Sequence, residues 1–162
     1  RFVGGQSERD GELWVRNPGV ALGYYGMPDK TAERFVDGWY RTGDVLRHGD
    51  DGWFYFIGRT DDMFVVGGEN VYPQEVETLL ESHPSVAQAT VMPFAHEMKG
   101  MVPYAFVVPA AGCTPSEDEL KAFTIENGPA YAHPRRVFII PEIPLTGTNK
   151  VDKEQLKALA AG

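Results

Sequence analysis

One lysine, Lys150, stands in a loop of small and polar residues, Pro144-Leu145-Thr146-Gly147-Thr148-Asn149-Lys150-Val151-Asp152. An ammonium on such a loop can bridge a carboxylate and an α-phosphate, and stabilise the charge that gathers as an acyl oxygen attacks phosphorus. The competing reading is a surface lysine ahead of a helix, the commoner fate of the residue type. Asp44 closes Tyr40-Arg41-Thr42-Gly43-Asp44, after Gly38-Trp39. An ionised aspartate only accepts hydrogen bonds and can take a pair of ribose hydroxyls; alternatively it bonds to backbone within its own turn. Arg59, in Gly58-Arg59-Thr60-Asp61-Asp62, carries a fork of donors suited to phosphate or ribose oxygens, or it pairs with Asp61 or Asp62 on a solvated surface. Asp61 stands where the composition changes, a place for a hinge, although spacing alone does not reveal one. Gly67-Gly68 permits close approach of a ligand chain and positive φ. It lacks the third glycine of a dinucleotide fingerprint, and the sequence holds no Gly-x-x-x-x-Gly-Lys-Ser/Thr phosphate loop.

The elements that must position these residues fall into two stretches. Residues 1–60 read as β-rich. Gly11 to Arg16 alternates after a turn, and Trp53-Phe54-Tyr55-Phe56-Ile57 is an aromatic and β-branched run bounded by Asp50-Asp51-Gly52 and Gly58. Asp29 to Phe35 supplies one short helix. So many turns in sixty residues make a poor core, and the stretch is expected to complete a barrel or sheet whose remaining strands lie outside it. Residues 61–162 read as a small α+β domain, a central sheet with helices against it. Strands are expected at Met63–Val66, Val86–Met92, Val102–Val108 and Val137–Ile140, with Gly67-Gly68-Glu69-Asn70 as a tight loop. Pro73 suits the first position of a helix whose Val76, Leu79 and Leu80 share a face and which ends at His83-Pro84. Ser116 with Glu119, and Asp152 with Gln155, form N-capping pairs ahead of Leu120 and Phe123, and of Leu156 and Leu159.

Composition excludes some functions. The 162 residues are 43% hydrophobic and carry a formal net charge of −8. That is enough apolar content for a folded core, and the wrong sign for unaided nucleic-acid binding; local basic residues can still receive an anionic substrate. Cys113 is the single cysteine, which forbids an intrachain disulfide and suits a reducing cytoplasm. The four histidines, His48, His83, His96 and His133, show no metal-ligand spacing. No apolar run reaches the length of a membrane span. The opening Arg1-Phe2-Val3 has neither an initiator Met nor a signal-peptide core, so the chain reads as cut from something longer.

Taken together, these motifs resemble the C-terminal third of the adenylate-forming superfamily: acyl- and aryl-CoA synthetases, peptide-synthetase adenylation domains and firefly luciferase. The resemblance runs through Gly11-Glu12-Leu13-Trp14-Val15, Gly23-Tyr24-Tyr25, Asp37 to Asp44, Gly58 to Asp62, Gly67 to Glu77, and Pro144 to Lys150. It implies a two-step reaction, in which a carboxylate attacks ATP to give an acyl-adenylate and a thiol, usually that of CoA, then displaces AMP. It implies that Asp44 holds the ribose hydroxyls, Arg59 the ribose–phosphate side, and that Lys150 serves adenylation. Asp61 matches the hinge about which a lid rotates, and Gly67, with Gly68 beside it, approaches the pantetheine tunnel. The chain departs from the pattern in two places. Asn149 precedes the lysine where many members have Gly, and Tyr131-Ala132-His133-Pro134 stands for Tyr-Lys-x-Pro. Tyr131 and His133 are thus placed on the CoA or nucleotide side without the family's lysine. The phosphate-binding Ser/Thr/Gly-rich loop, the magnesium glutamate and the acyl pocket of the family have no counterpart here. Magnesium is therefore expected through the N-terminal domain, and this stretch alone is expected to form no adenylate. The expectation is an acid–CoA ligase using a small carboxylic acid, ATP and CoA; the alternatives are a domain loading a carrier-protein thiol and a non-catalytic binding or regulatory module.

Overall fold

The computed structural model describes residues 1–5 and 9–161. The chain divides into two compact units, Arg1–Asp62 and Met63–Gly162.

In the first unit, strands β1 (Phe2–Gly4), β2 (Asp10–Val15), β3 (Phe35–Val36), β4 (Trp39–His48) and β5 (Phe54–Arg59) form one antiparallel sheet. Strand β4 is its centre, pairing with β2, β3 and β5. Helix α1 (Pro28–Arg34) has proline in its first turn, where a missing N–H costs nothing. Thr31 ties its start down, donating to the Met27 carbonyl at 2.9 Å and accepting from the Tyr24 amide at 2.9 Å. The aromatic run does not end at Gly58 as the sequence suggested. β5 continues through Gly58, buried opposite Val45, to Arg59 opposite Asp44. A glycine within a strand weakens pairing without breaking it where a partner strand approaches closely. Only Val45 and Ile57 are buried apolar residues among the described part of this unit, while Trp53, Phe54 and Phe56 remain 70%, 60% and 51% exposed. Tyr55, pointing to the opposite face from its neighbours, is exposed too, so the start of β5, Phe54–Phe56, is uncovered on both faces.

The second unit is built on β9 (Gly100–Pro109), which pairs antiparallel with β8 (Val86–His96) and β6 (Phe64–Val66), and parallel with β10 (Arg136–Ile139); β7 (Glu69–Val71) pairs with β6. Side chains alternate along β9. Ala105 and Val107 join Val76, Leu80, Val91, Leu120 and Val137 on one face, and Phe106 joins Met92, Ile140, Ile143 and Leu156 on the other. Helices α2 (Pro73–Glu81) and α3 (Glu117–Asn127) therefore cover the first face, and α4 (Lys153–Ala161) the second. Burial on both sides explains why β9 reads as a continuous apolar run.

Both capping pairs form. The Ser116 hydroxyl accepts from the Glu119 amide at 3.1 Å while the Glu119 carboxylate takes the Ser116 amide at 3.3 Å, and Asp152 accepts from the Gln155 amide at 3.1 Å. Two expectations change. The strand expected to stop at Met92 runs on to His96, with Pro93 opposite Pro103; prolines facing each other suit a non-hydrogen-bonded pair, where neither N–H is needed. The tight loop is shorter than expected. Gly67 and Gly68 alone make the turn, with φ of 59° and 97°, and Glu69 and Asn70 already pair in β7. Two successive positive φ values let a hairpin reverse in two residues, and glycine takes them without strain.

The apolar positions of α4 differ sharply. Leu156 is fully buried and Leu159 is 48% exposed. Leu156→Ala is expected to destabilise the protein by about 2–5 kcal/mol, and Leu159→Ala by about 0.5 kcal/mol or less. Urea unfolding of the two variants checks this, and equal losses would contradict the packing described.

Candidate functional site

In the first unit, the β4–β5 register places Asp44 opposite Arg59. Arg59 Nη1 donates to Asp44 Oδ1 at 2.5 Å. Asp44 thus faces a side chain across the ladder rather than only its own turn. Asp61 instead accepts from Arg34 Nη2 at 2.8 Å. The side chains of Asp44 and Arg59 keep 37% and 44% of their surface exposed. Such a pair is worth about 0–1 kcal/mol, and both members stay open to a ligand's hydroxyls or phosphate oxygens.

Gly43 lies beside this pair with φ of 77°. A Cβ there would stand 2.8 Å from Arg34 Nη1 and 3.0 Å from Arg59 Nη2, so glycine answers both to the backbone and to two guanidinium groups. Asp61 raises the pKa of Arg34, chiefly through its hydrogen bond. Behind Gly43 lies a residue that sequence reasoning quoted only as part of a motif. Glu12 is 6% exposed, and its carboxylate accepts from the Gly43 amide, Trp14 Nε1 and Arg41. The signal for it was an acidic residue inside a strand of otherwise alternating apolar character.

In the second unit the sequence-selected residues occupy three loops. Gly67 and Gly68 form the β6–β7 turn, and a Cβ on either would meet nothing within 4 Å. The turn thus needs glycine for its dihedrals, and the space beside it is open. Lys150 lies exposed between β10 and α4. A bridge between Leu145 and Val151 closes its loop, with the Thr146 amide donating to the Lys150 carbonyl at 2.7 Å and the Asn149 amide to the Thr146 carbonyl at 2.9 Å. Asn149 has φ of 62°, a left-handed conformation open to glycine and, among other residues, chiefly to asparagine and aspartate. Its replacement of the family's usual glycine is therefore compatible with the turn.

Tyr131 and His133 precede β10. Tyr131 packs on the α2–α3 side of the core. His133 Nδ1–H donates to the Ala130 carbonyl, and its Nε2 accepts from Arg135 Nη1 at 2.6 Å. These partners define a neutral imidazole with both nitrogens engaged inside the loop. Among the described residues, no three Asp, Glu, His or Cys side chains converge to hold a metal ion, and no helix is long and apolar enough to cross a membrane.

Burial, first, and then the positive charge of Arg135 lower the His133 pKa below its ordinary 6.5, with the Ala130 bond acting in the opposite direction. Above pH 6.5 the imidazole is neutral in folded and unfolded chains and its contribution is complete. As the pH falls through the lower folded value, the unfolded chain has already taken up the proton, and stability is lost. The urea midpoint is expected to fall less between pH 7 and pH 5 in His133→Gln than in the unsubstituted protein. An identical fall would remove His133 from the acid response.

Residues 75–150 match the AMP-binding enzyme C-terminal domain. Over 149 residues the chain is 41% identical to the 2-succinylbenzoate–CoA ligase of Geobacillus kaustophilus, covering 92% of this chain and 30% of that enzyme. It is 39% identical over 147 residues to the fatty acid–acyl-carrier-protein ligase ScoC of Streptomyces coeruleorubidus, covering 91% of this chain and 28% of that one. The o-succinylbenzoate CoA synthetase (MenE) of Bacillus subtilis, solved with the acyl-adenylate intermediate OSB-AMP, superimposes with a TM-score of 0.82 at 34% identity, covering 94% of this chain and 31% of that structure. The chain thus spans about 30% of the length of the relatives it matches. Residues 75–150 thus match the AMP-binding enzyme C-terminal domain family, and the chain as a whole is similar in sequence and fold to the corresponding part of adenylate-forming enzymes.

Proposed function

We propose that this chain is part of an ATP-dependent carboxylic acid–CoA ligase, and that it supplies the ribose contact and the mobile lid. The observation that carries the reading is the exposed Asp44–Arg59 pair, in a chain 41% identical to a CoA ligase. In the first step a carboxylate oxygen bonds to the α-phosphorus of ATP and pyrophosphate leaves. Asp44 accepts hydrogen bonds from the ribose hydroxyls, Arg59 faces the ribose–phosphate side, and the Lys150 ammonium stabilises the oxygens that gain charge. In the second step the CoA sulfur bonds to the acyl carbon and AMP leaves. Residues 1–60 act as a β-rich segment of the N-terminal domain and residues 61–162 as a lid that turns about Asp61. The lid then presents the Gly67-Gly68 turn to the pantetheine chain, so that one pocket serves two chemistries in turn. Tyr131 and His133 lie on the CoA or nucleotide side of the lid. The phosphate loop, acyl pocket and magnesium ligands belong to the remainder of the protein. The chain alone forms no adenylate, and the whole protein works in the cytoplasm.

A carrier-protein thiol is the second reading of the acceptor, favoured by the resemblance to ScoC. Both readings share the adenylation step and differ only in where the thiol resides.

Lys150→Ala in the full-length protein tests the lid assignment. Adenylation, followed as pyrophosphate release, is expected to fall about 100-fold or more. Thioester formation from supplied acyl-adenylate is expected to stay within about threefold, since an ammonium that acts on the first transition state alone contributes nothing to the second. Equal loss of both half-reactions would reject the assignment.

A further inference from the structure

We infer that Glu12 is a positioning residue for Asp44: its buried carboxylate holds the β-bulge that turns Asp44 toward Arg59, and thereby sets the affinity for the nucleotide. The inference rests on the nucleotide role proposed for Asp44.

The argument begins with register. Glu12 pairs with Val45 and Trp14 pairs with Arg41. One residue, Leu13, lies between the first pair and the second on β2, whereas Thr42, Gly43 and Asp44 lie between them on β4. Strand β4 therefore carries two extra residues, and its ladder with β2 is interrupted at Thr42-Gly43-Asp44. Interruptions of this kind re-aim side chains next to functional sites, but they strand backbone groups that must find other partners.

Side chains of this unit replace the lost ladder. Glu12 Oε1 accepts from the buried Gly43 amide at 3.1 Å. The Thr42 hydroxyl donates to the Leu13 carbonyl at 2.8 Å and accepts from the Asp44 amide at 3.0 Å. The other oxygen of Glu12 is fully used as well, accepting from Trp14 Nε1 at 2.9 Å and from Arg41 Nε and Nη2 at 3.3 and 3.2 Å. A carboxylate with 7% of its side chain exposed is costly unless paired and bonded in this way. Residue 12 is thus an acceptor facing donors on every side, and the donor at its inner end is the amide immediately before Asp44.

Beyond the bulge, the Gly43 carbonyl accepts from the Thr60 amide at 2.8 Å, next to Arg59. Gly43 is consequently clamped from both neighbouring strands, by Glu12 through its N–H and by Thr60 through its C=O. Asp44 leaves this clamp with its carboxylate at Arg59.

Glu12→Gln tests the role with little change of shape. An amide has one acceptor oxygen and one NH2, so in either orientation its NH2 opposes the Gly43 amide or the Trp14 and Arg41 donors. In the full-length protein, the equilibrium Kd for ATP and the KM for ATP in pyrophosphate release are expected to rise about tenfold, the scale of leaving a buried donor unpaired. The KM for CoA and the rate of thioester formation from supplied acyl-adenylate are expected to change less than about twofold, because that step does not draw on ATP binding. Thr42→Val removes the other clasp of the bulge and is expected to shift the same constants in the same direction, which keeps the test available if Glu12→Gln folds poorly. A selective rise for ATP supports the inference. A loss of active protein with unchanged ATP constants in both variants overturns it and leaves Glu12 a purely structural residue. Failure of the unsubstituted protein to bind ATP would overturn the functional reading together with this one, whereas binding that both variants leave intact overturns this one alone.

Discussion

Strand β4 is paired along both of its edges, with β2 on one side and with β3 and β5 on the other, yet it carries two more residues than β2 across the stretch Arg41–Val45. A paired strand cannot absorb extra residues without leaving amides and carbonyls unsatisfied. The first unit meets that constraint with a buried glutamate, a threonine hydroxyl and a glycine at positive φ. Most of what makes Asp44 and Arg59 neighbours follows from this. Continued regular pairing from Trp14 onward would shift the register by two residues and set Asp44, rather than Leu46, opposite Gly11.

Charge in the first unit is organised in the same place. Arg41, Arg34 and Arg59 each meet a carboxylate, of Glu12, Asp61 and Asp44 respectively. The pairs differ in setting. Glu12 is buried, and losing either partner would leave a charge without compensation. The Asp44–Arg59 pair is exposed and holds its members weakly. A chain of net charge −8 thus keeps two guanidinium groups beside one glycine, an arrangement suited to an anionic ligand despite the overall sign.

The second unit depends on a different constraint. Its central strand β9 is buried on both faces, with α2 and α3 on one side and α4 on the other. The loops that carry Gly67-Gly68 and Lys150 leave this layered core as short, internally bonded turns, so their side chains and open space are presented by a rigid frame. The same economy applies to His133, whose two nitrogens are both used within its loop. The departure from the family pattern falls on its neighbour Ala132, which is buried in the core cluster where a lysine side chain would be costly.

Several features were determined by local sequence. Pro73 at a helix start, the Ser116–Glu119 box, the Asp152 cap and the aromatic strand all depend on neighbours within a few residues. The motifs around Asp44, Arg59 and Lys150 were equally visible, because each couples a reactive side chain to a nearby glycine or small-residue loop. The tertiary structure decided what those motifs face. No local pattern showed that Arg59 meets Asp44 while Asp61 meets Arg34, since these partners lie 15 and 27 positions apart and come together through strand register and the placement of α1. Nor did composition show that Glu12 is buried. An acidic residue in a strand reads as solvent-facing until the facing strand supplies an amide and a guanidinium for it to accept from, beside the indole N–H of its own strand. Local propensity acts over a turn of helix or a pair of strand residues, whereas burial and pairing are settled only when distant segments occupy the same space.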